Sequence, residues 1–195
     1  MVVKRTQAER SAATRTALLA AARELFTERG YAGAGRDDIA ARAGVTRGAL
    51  YHHFANKQAV FLAVVEDLEA DIGQRLHAAW LTGTDPLDQL RRGCQAFLDA
   101  AMDPSVRRVL LLEAPAVLGW QAWRELDARF GLGLVKEALQ MIVAAGQIDP
   151  QPIEPLAHML LASLNEAAML VAQADDPGAA RHEVGATIDR LVSRL

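Results

Sequence analysis

Residues 37–57 follow the pattern of two short helices separated by a glycine turn. In the first helix, Ile39 and the alanines around it share one face. In the second, Leu50 and Phe54 are four residues apart and point to the same side. Gly44 lies between the helices and is free to adopt the positive φ that such a turn needs. This is the layout of a helix-turn-helix, in which the second helix enters the major groove of DNA.

The other side of the second helix is polar and basic. Arg47 and Tyr51 are four residues apart, as are Gly48 and His52. A glycine inside a helix costs about 1 kcal/mol relative to alanine. An outward-facing Gly48 therefore indicates that another molecule approaches closely at this point. The alternative is an ordinary solvated helix face.

From residue 15 to residue 57 the chain resembles the DNA-binding domain of the tetracycline-repressor (TetR) family of one-component regulators. The resemblance consists of many residue types at fixed spacings. The matching stretches are 19–26, 30–31, 39–40, 43–46, 48–51, 53–54 and Lys57. It implies an N-terminal helix-turn-helix domain followed by a larger helical domain that binds a ligand and forms dimers.

The same resemblance implies DNA contacts for seven residues. Arg47, Gly48 and His52 would lie against base edges, and the others would hold the sugar-phosphate backbone. The chemistry agrees, because arginine donates two hydrogen bonds to guanine whereas hydroxyl and ammonium groups serve phosphates. The implied DNA-binding residues are Thr46, Arg47, Gly48, Tyr51, His52, His53 and Lys57.

The residues just before the first short helix depart from the family pattern. Ala34 and Gly35 stand where the family usually has threonine followed by serine or threonine, and Arg36 replaces a usual apolar residue. Gly35 is an acceptable N-cap, and Asp37 and Asp38 suit the first turn of a helix. The role of Arg36 stays open: it would either contact a phosphate or lie in solvent beside these aspartates.

Charge divides the 195 residues into two parts. Residues 1–57 hold ten Lys/Arg against five Asp/Glu, net +5, and residues 58–195 hold eleven against nineteen, net −8. Phosphate neutralisation needs positive charge only in the part that meets DNA. We therefore expect a DNA-binding domain over 1–57, with a flexible basic arm over 1–11, and a ligand-binding and dimerisation domain over 58–195.

Cys94 is the single cysteine, which excludes an intrachain disulfide and a zinc site built from several cysteines. The N-terminus has no apolar segment of a signal peptide, and no uninterrupted apolar run reaches about 18 residues. We expect a cytoplasmic protein with no cofactor, no metal and no membrane partner.

Helical periodicity recurs along the chain and strand patterns are almost absent, so we predict an all-α fold of about nine helices. Pro115 and the glycines at 131 and 133 predict kinks or breaks. Acidic N-caps followed by proline mark three helix starts, at Asp85, Asp103 and Asp176. Beyond the two short helices, the predicted helices are about 12–29, 57–81, 85–101, 104–118, 120–145, 152–174 and 178–195.

Two adjoining apolar stripes in the helix over 152–174 are more than one core requires. With the final helix, they predict a two-fold dimer through a four-helix bundle. The alternative is a monomer whose stripes meet its own core. A dimer would present two recognition helices and demand a near-palindromic operator. The predicted interface residues are Leu156, Leu160, Ser163, Ala167, Val184, Ile188 and Leu191.

The resemblance also implies a pocket among the middle helices whose occupancy alters DNA binding. Composition favours an apolar or amphipathic effector with a few polar groups. The alternative for the apolar candidates is that they are ordinary core residues. The alternative for the polar candidates is that they form hydrogen bonds with a neighbouring helix end or an interface partner. The candidate pocket residues are Phe97, Leu111, Glu113, Trp120, Trp123, Met141, His158 and Asn165.

An enzyme is disfavoured, because His77, His158 and His182 are widely separated and no nucleophile lies beside a base. We expect a sequence-specific regulator of transcription, a repressor released from double-stranded DNA by a small molecule. The alternative is a helical ligand carrier or partner-binding protein that retains the fold without binding an operator. The identity of the effector and the operator sequence do not follow from the sequence.

Overall fold

The computed structural model describes residues 6–195, and every regular element over that range is helical, which confirms the predicted all-α fold. A π-helical stretch, Val106–Glu113, leads into α6, and a second one, Ala128–Leu132, joins α7 to α8. The described residues therefore form nine continuous helical segments. The α-helices are α1 Gln7–Gly33, α2 Arg36–Arg42, α3 Arg47–His53, α4 Lys57–Trp80, α5 Pro86–Ala100, α6 Ala114–Leu118, α7 Trp120–Asp127, α8 Gly133–Ala144, α9 Ile153–Gln173 and α10 Pro177–Val192.

The chain divides into two compact units, Met1–Asp67 and Leu68–Leu195. This boundary falls within α4, ten residues beyond the expected one at 57. The reason is packing: Val60, Phe61 and Val64 of α4 are fully buried, and the Phe61 ring meets that of Phe26 edge to face at 5.1 Å. The first turns of α4 thus complete the core of the N-terminal unit.

Helix α1 begins earlier than the sequence indicated. The Thr6 hydroxyl accepts from the Glu9 backbone N–H at 3.2 Å, and the Glu9 carboxylate accepts from the Thr6 N–H at 2.7 Å. This reciprocal capping box starts the helix at Gln7. The predicted flexible arm over 1–11 is therefore corrected from Gln7 onward, and its residues 1–5 lie outside the described residues.

Two of the expected helix starts occur in the second unit, whereas the expected kinks or breaks at Pro115 and Gly131 appear as π-helical stretches within continuous helical segments. The carboxylates of Asp85 and Asp176 cap α5 and α10, each followed by a proline in the first turn. The π-helical stretch Val106–Glu113 ends just before Pro115, whose missing N–H cannot continue the α-helical register. Gly131 lies in the second π-helical stretch, where a Cβ atom would meet the Leu161 side chain at 3.0 Å.

By length and composition α9 could cross a membrane, with a mean hydropathy of 1.3 in its most apolar window. Half of that window is buried inside the protein. Leu160, Leu164 and Val171 are among its buried residues, and α9 packs against α8 and α10. A core helix of a helical domain has this same composition, so α9 is weak evidence for a membrane span.

Candidate functional site

Helices α2 and α3 form the predicted helix-turn-helix. Gly44 adopts φ +66°, and Val45 N–H donates to the Ala40 carbonyl at 3.0 Å. The Thr46 hydroxyl accepts from the Ala49 N–H at 3.2 Å and so caps α3. Leu50 is buried on the inner side of α3. The cap and this inner contact hold a helix of only seven residues in place.

The outer side of α3 is exposed. Arg47 keeps 71% of its side chain accessible and Tyr51 is 49% exposed, while Thr46, Gly48 and His52 are exposed beside them. We call these five residues the α3 surface. The structure thus brings together five of the seven residues that the sequence assigned to DNA.

His53 lies at the margin of the α3 surface. It is half-buried, with its ring 5.5 Å from that of His52 and 6.4 Å from that of Phe54, measured between centroids. Because Phe54 is buried in the core of the N-terminal unit, His53 bridges the core and the outer face of α3.

Arg36 makes a contact that the sequence did not indicate. Its guanidinium lies over the Tyr51 ring, 4.5 Å from the centroid, and the residue is half-buried. Such a cation–π contact is worth about 0.5–1 kcal/mol at an exposed site. The residue that departs from the family pattern therefore supports Tyr51 and adds a positive charge beside the α3 surface.

Arg47 pairs with Asp37 of α2, the Nε to Oδ1 distance being 2.9 Å. Both side chains are more than half exposed, and such surface ion pairs are worth about 0–1 kcal/mol. Exchanging this partner for a base edge would cost Arg47 little. The ion pair also holds the guanidinium on the outer side of α3 in the absence of DNA.

Lys57 lies apart from the α3 surface, and its expected phosphate contact stays a prediction. Its ammonium donates to the backbone carbonyls of Tyr31, Ala32 and Ala34 at 2.7, 3.4 and 3.2 Å. These carbonyls become available because Gly30, at φ +73°, interrupts α1. The three N–H donors of Lys57 are thus directed at the end of α1.

Gly48 has no internal reason to be glycine. A Cβ atom there would have its closest neighbour, the Thr46 hydroxyl oxygen, at 3.9 Å, which is ordinary contact. We expect Gly48→Ala to raise the free energy of unfolding by up to about 1 kcal/mol through helix propensity. It should lower affinity for DNA at the same time, because a methyl group would occupy the space of the approaching duplex. Denaturant unfolding and gel shift measure the two effects, and a variant that is more stable with unchanged DNA affinity would contradict the assignment.

The second unit contains a cavity of about 310 Å³. It is lined by α4, α5, α8, α9 and the segment around the second π-helical stretch, and it is partly open to solvent. Of the eight predicted pocket residues, only Phe97 and Met141 line it. The lining residues are Glu69, Ile72, Gly73, Leu76, His77, Trp80, Leu81, Leu90, Gly93, Cys94, Phe97, Asp127, Phe130, Gly131, Leu134, Val135, Glu137, Ala138, Met141, Leu161 and Leu164.

The other predicted pocket residues have different environments, so their assignment was wrong. Glu113 pairs with Arg108 at 3.4 Å, and His158 pairs with Glu154 at 3.4 Å on an exposed part of α9. Asn165 is buried one layer behind the cavity wall, and the rest are ordinary core or surface. The six residues that do not line the cavity are Leu111, Glu113, Trp120, Trp123, His158 and Asn165.

Two buried carboxyl groups, those of Glu69 and Asp127, face the cavity. Asn165 Nδ2 donates to Asp127 Oδ2 at 2.7 Å, whereas burial raises the pKa of Asp127. Burial also raises the pKa of Glu69 to about 7, the charge of Asp127 adds to the rise, and Arg129 opposes it. One sequence signal points to Glu69, because this residue interrupts the apolar side of α4.

Glu69 makes stability depend on pH. The pKa of Glu69 is about 7 in the folded protein, above the ordinary 4.5, so the folded state keeps this proton to higher pH than the unfolded state does. The stability contributed by the protonated carboxyl group is therefore lost as pH rises through 7. Because each pKa unit corresponds to about 1.4 kcal/mol, the free energy of unfolding falls by about 3 kcal/mol in total. Glu69→Gln is neutral at every pH, so its stability relative to the parent should rise between pH ~5 and pH ~8. Urea unfolding at both pH values measures this, with the exposed Glu137→Gln as control. A pH-independent difference would contradict it.

The predicted dimer residues divide between core and surface. Leu160, Ala167 and Ile188 are buried within the single chain, which corrects their assignment to an interface. Leu156, Ser163 and Val184 are half-buried, and Leu191 is exposed. The apolar residues that α9 leaves exposed are Met159, at 68%, and Leu170, at 54%. With half-buried Ser163 and exposed Glu166 they form one row along the helix, which we call the α9 row.

The sequence matches two family profiles. One, described as bacterial regulatory proteins, tetR family, covers residues 18–64, and the other, described as tetracyclin repressor-like, C-terminal domain, covers residues 87–195. A solved structure of a TetR-family transcriptional regulator from Pectobacterium atrosepticum is similar, with a TM-score of 0.84 and 36% identity. That similarity spans 96% of this chain and 95% of the other.

Curated relatives agree. The Transposon Tn10 TetC protein of Escherichia coli is 26% identical over 80% of this chain and 79% of its own length. The HTH-type transcriptional activator FasR of Mycolicibacterium smegmatis is 43% identical, but over 42% of this chain and only 37% of FasR. Both family profiles and the solved structure describe transcriptional regulators rather than enzymes. Since the profiles cover both parts of the chain, it belongs to the TetR family of bacterial transcriptional regulators.

Proposed function

We propose that this regulator binds a specific double-stranded DNA operator through the α3 surface and that it represses transcription until a small molecule releases it. The observation that carries the proposal is the exposure of Arg47, Tyr51 and His52 on one side of a capped helix whose other side is buried. The net charge of +5 over residues 1–57 favours approach to phosphates.

The contacts divide by chemistry. Arg47 and His52 would meet base edges, with Gly48 allowing the helix to come close. Thr46, Tyr51 and His53 would hold the sugar-phosphate backbone. Arg36 supports Tyr51 through its cation–π contact and lies near enough to reach the same phosphate region. Only the first group would report sequence.

We further propose a two-fold dimer formed through α9 and α10, with the α9 row and Leu191 as its apolar centre. Met159, Leu170 and Leu191 are exposed and apolar, which favours their burial against a second copy. Two recognition helices would then demand a near-palindromic operator whose half-sites lie about one helical turn apart or somewhat more.

The cavity in the second unit is the proposed effector site. A ligand there changes DNA affinity only if it binds one conformer better than another, and its differential affinity sets the size of the effect. FasR carries the name of an activator, so both signs of regulation occur among relatives. We propose repression, and a cytoplasmic location for the protein.

Gel shift with the DNA upstream of the protein's own gene tests this function. We expect a specific complex that survives unlabelled nonspecific competitor and weakens steeply as salt rises. The variant Arg36→Ala should still bind specifically, because Arg36 supports Tyr51 rather than reading a base. Absence of any specific, salt-sensitive complex would favour a ligand carrier that retains the fold without operator binding.

A further inference from the structure

The cavity in the second unit combines apolar walls with negative charge. Ile72, Leu76, Trp80, Phe97 and Phe130 supply much of its apolar surface. Its ionisable lining groups are the carboxyls of Glu69, Asp127 and Glu137, the His77 imidazole and the Cys94 thiol. No lysine or arginine is among the lining residues in the described part of the chain. A ligand inside would therefore meet carboxylates without a basic side chain in the wall.

Glu69 is the buried carboxyl group of this cavity that no donor among the described residues reaches. It is only 8% exposed, yet its carboxyl group makes no hydrogen bond with any residue that the structure describes. Asp127 differs, because Asn165 donates to it at 2.7 Å from behind the wall. A buried carboxyl group without a donor is unusual in folded proteins and carries a desolvation cost. A ligand that brings N–H donors to Glu69 would remove that cost.

Arg129 is the cation whose charge acts on Glu69. Arg129 acts on Glu69 electrostatically, but it is absent from the cavity wall and its guanidinium lies over the Phe130 ring at 4.9 Å from the centroid. The space inside the cavity beside Glu69 and Asp127 is therefore lined by no basic side chain among the described residues.

We propose that the cavity binds an apolar molecule carrying one protonated amine or amidine group, whose N–H groups donate to Glu69 and Asp127. The inference rests on the proposed function, because the bound molecule would be the effector that controls DNA binding. A volume of about 310 Å³ lies at the lower end of the range for small-molecule sites. One aromatic ring with a short alkyl amine is a suitable size.

A cation is favoured over neutral and anionic ligands for two reasons. Charge-assisted hydrogen bonds are about twice as strong as neutral ones, and the two carboxyl groups are already desolvated by the fold before a ligand arrives. A carboxylate ligand would face like charges inside apolar walls, where they are screened weakly. An alcohol would gain a hydrogen bond but no ionic attraction.

Titration calorimetry with the full chain tests the inference with three probes that share the same apolar part: phenylbutylamine, phenylbutanol and phenylbutyrate. At neutral pH we expect the amine to bind at least about tenfold more tightly than the alcohol. The carboxylate should bind more weakly than the alcohol. Equal or weaker binding of the amine, strongest binding of the carboxylate, or no binding of any probe would each overturn the proposal.

Two matched variants locate the charge that matters. Glu69→Gln keeps the shape of the side chain and should lower amine affinity about tenfold while changing alcohol affinity by less than about twofold. Glu137→Gln removes the same charge from an exposed position on the cavity wall and should change amine affinity by less than about twofold. Circular dichroism of both variants checks folding. Equal losses in the two variants would show attraction by net charge alone and overturn the assignment of Glu69.

The same preparations separate this inference from the proposed function. Operator binding without Glu69-dependent amine binding would overturn the ligand class and leave the regulator intact. Glu69-dependent amine binding without operator binding would overturn the proposed function and leave the cavity assignment intact. With both present, phenylbutylamine should lower operator affinity in the parent protein and do so far less in Glu69→Gln.

Discussion

Replacing Met159 and Leu170 together by aspartate is expected to convert the dimer to monomers and to lower operator affinity by about 100-fold or more. Both side chains are more than half exposed in the single chain, so the change should leave its own core intact. Two carboxylates in each copy would place four like charges in an apolar interface. Losing the second recognition helix removes a gain in affinity on the order of 10²–10⁴.

Sedimentation velocity and gel shift measure this prediction together. Met102→Asp is the matched control, because Met102 is also an exposed methionine but lies in the turn after α5 rather than on α9. Ile188→Asp would not serve, since Ile188 is only 5% exposed and an aspartate there would disrupt the core. An unchanged sedimentation coefficient in the double variant would refute an interface through the α9 row.

Arg47→Ala should weaken operator binding and relax its sequence preference together. A bidentate arginine–guanine contact discriminates by about 1–3 kcal/mol, and a dimer would lose it in both half-sites. We therefore expect a loss of at least about tenfold for the operator, with one base pair in each half-site becoming nearly indifferent. This change also removes the ion pair with Asp37. Because that pair is exposed, the free energy of unfolding should change by less than about 1 kcal/mol.

Tyr51→Ala and Asp37→Asn are the comparisons for Arg47→Ala. Tyr51→Ala should weaken binding similarly on all sequences, because a backbone contact carries no sequence information. Asp37→Asn frees Arg47 from its partner and removes a negative charge near the phosphates, so operator affinity should stay equal or rise. If Arg47→Ala and Tyr51→Ala altered thermal stability alone, the α3 surface would not be the DNA-binding face.

The helix-turn-helix was predictable because its signals are local. The Thr46 cap, the Gly44 turn and the inward side chains Leu50 and Phe54 all depend on residues within five positions of one another. The contacts of Lys57 in the folded chain were not predictable, for the opposite reason. Its acceptors are backbone carbonyls 23 to 26 residues earlier, which the break at Gly30 leaves available. Sequence spacing does not reveal such a contact.

The cavity was harder to predict, since its walls come from helices that are distant in sequence. The sequence placed α4 as a connector between the domains, yet Glu69, Ile72 and Leu76 of α4 line the cavity. Trp123 lies outside the cavity because a large apolar side chain packs in a core as readily as around a ligand, and Trp120 is exposed on the surface. Periodicity indicates which residues face inward, but it does not indicate where the packing leaves a void.

The dimer residues illustrate a related limit. Met159 and Leu160 are adjacent in sequence and about 100° apart around α9, so each begins an apolar stripe. Only the packing of α9 against α8 and α10 decides that Leu160 is buried in the chain while Met159 is 68% exposed. The number of stripes was therefore informative, whereas the assignment of each stripe to core or interface was not.

Selection of bound sequences from a random double-stranded DNA pool, followed by sequencing, tests the central claim most directly. The account predicts enrichment of a near-palindrome with two half-sites about one helical turn apart, ~34 to 36 Å, or somewhat more. The guanine preference in each half-site should be lost with Arg47→Ala and retained with Tyr51→Ala. Recovery of no enriched motif, or of one whose preferences Arg47→Ala leaves unchanged, would contradict the account.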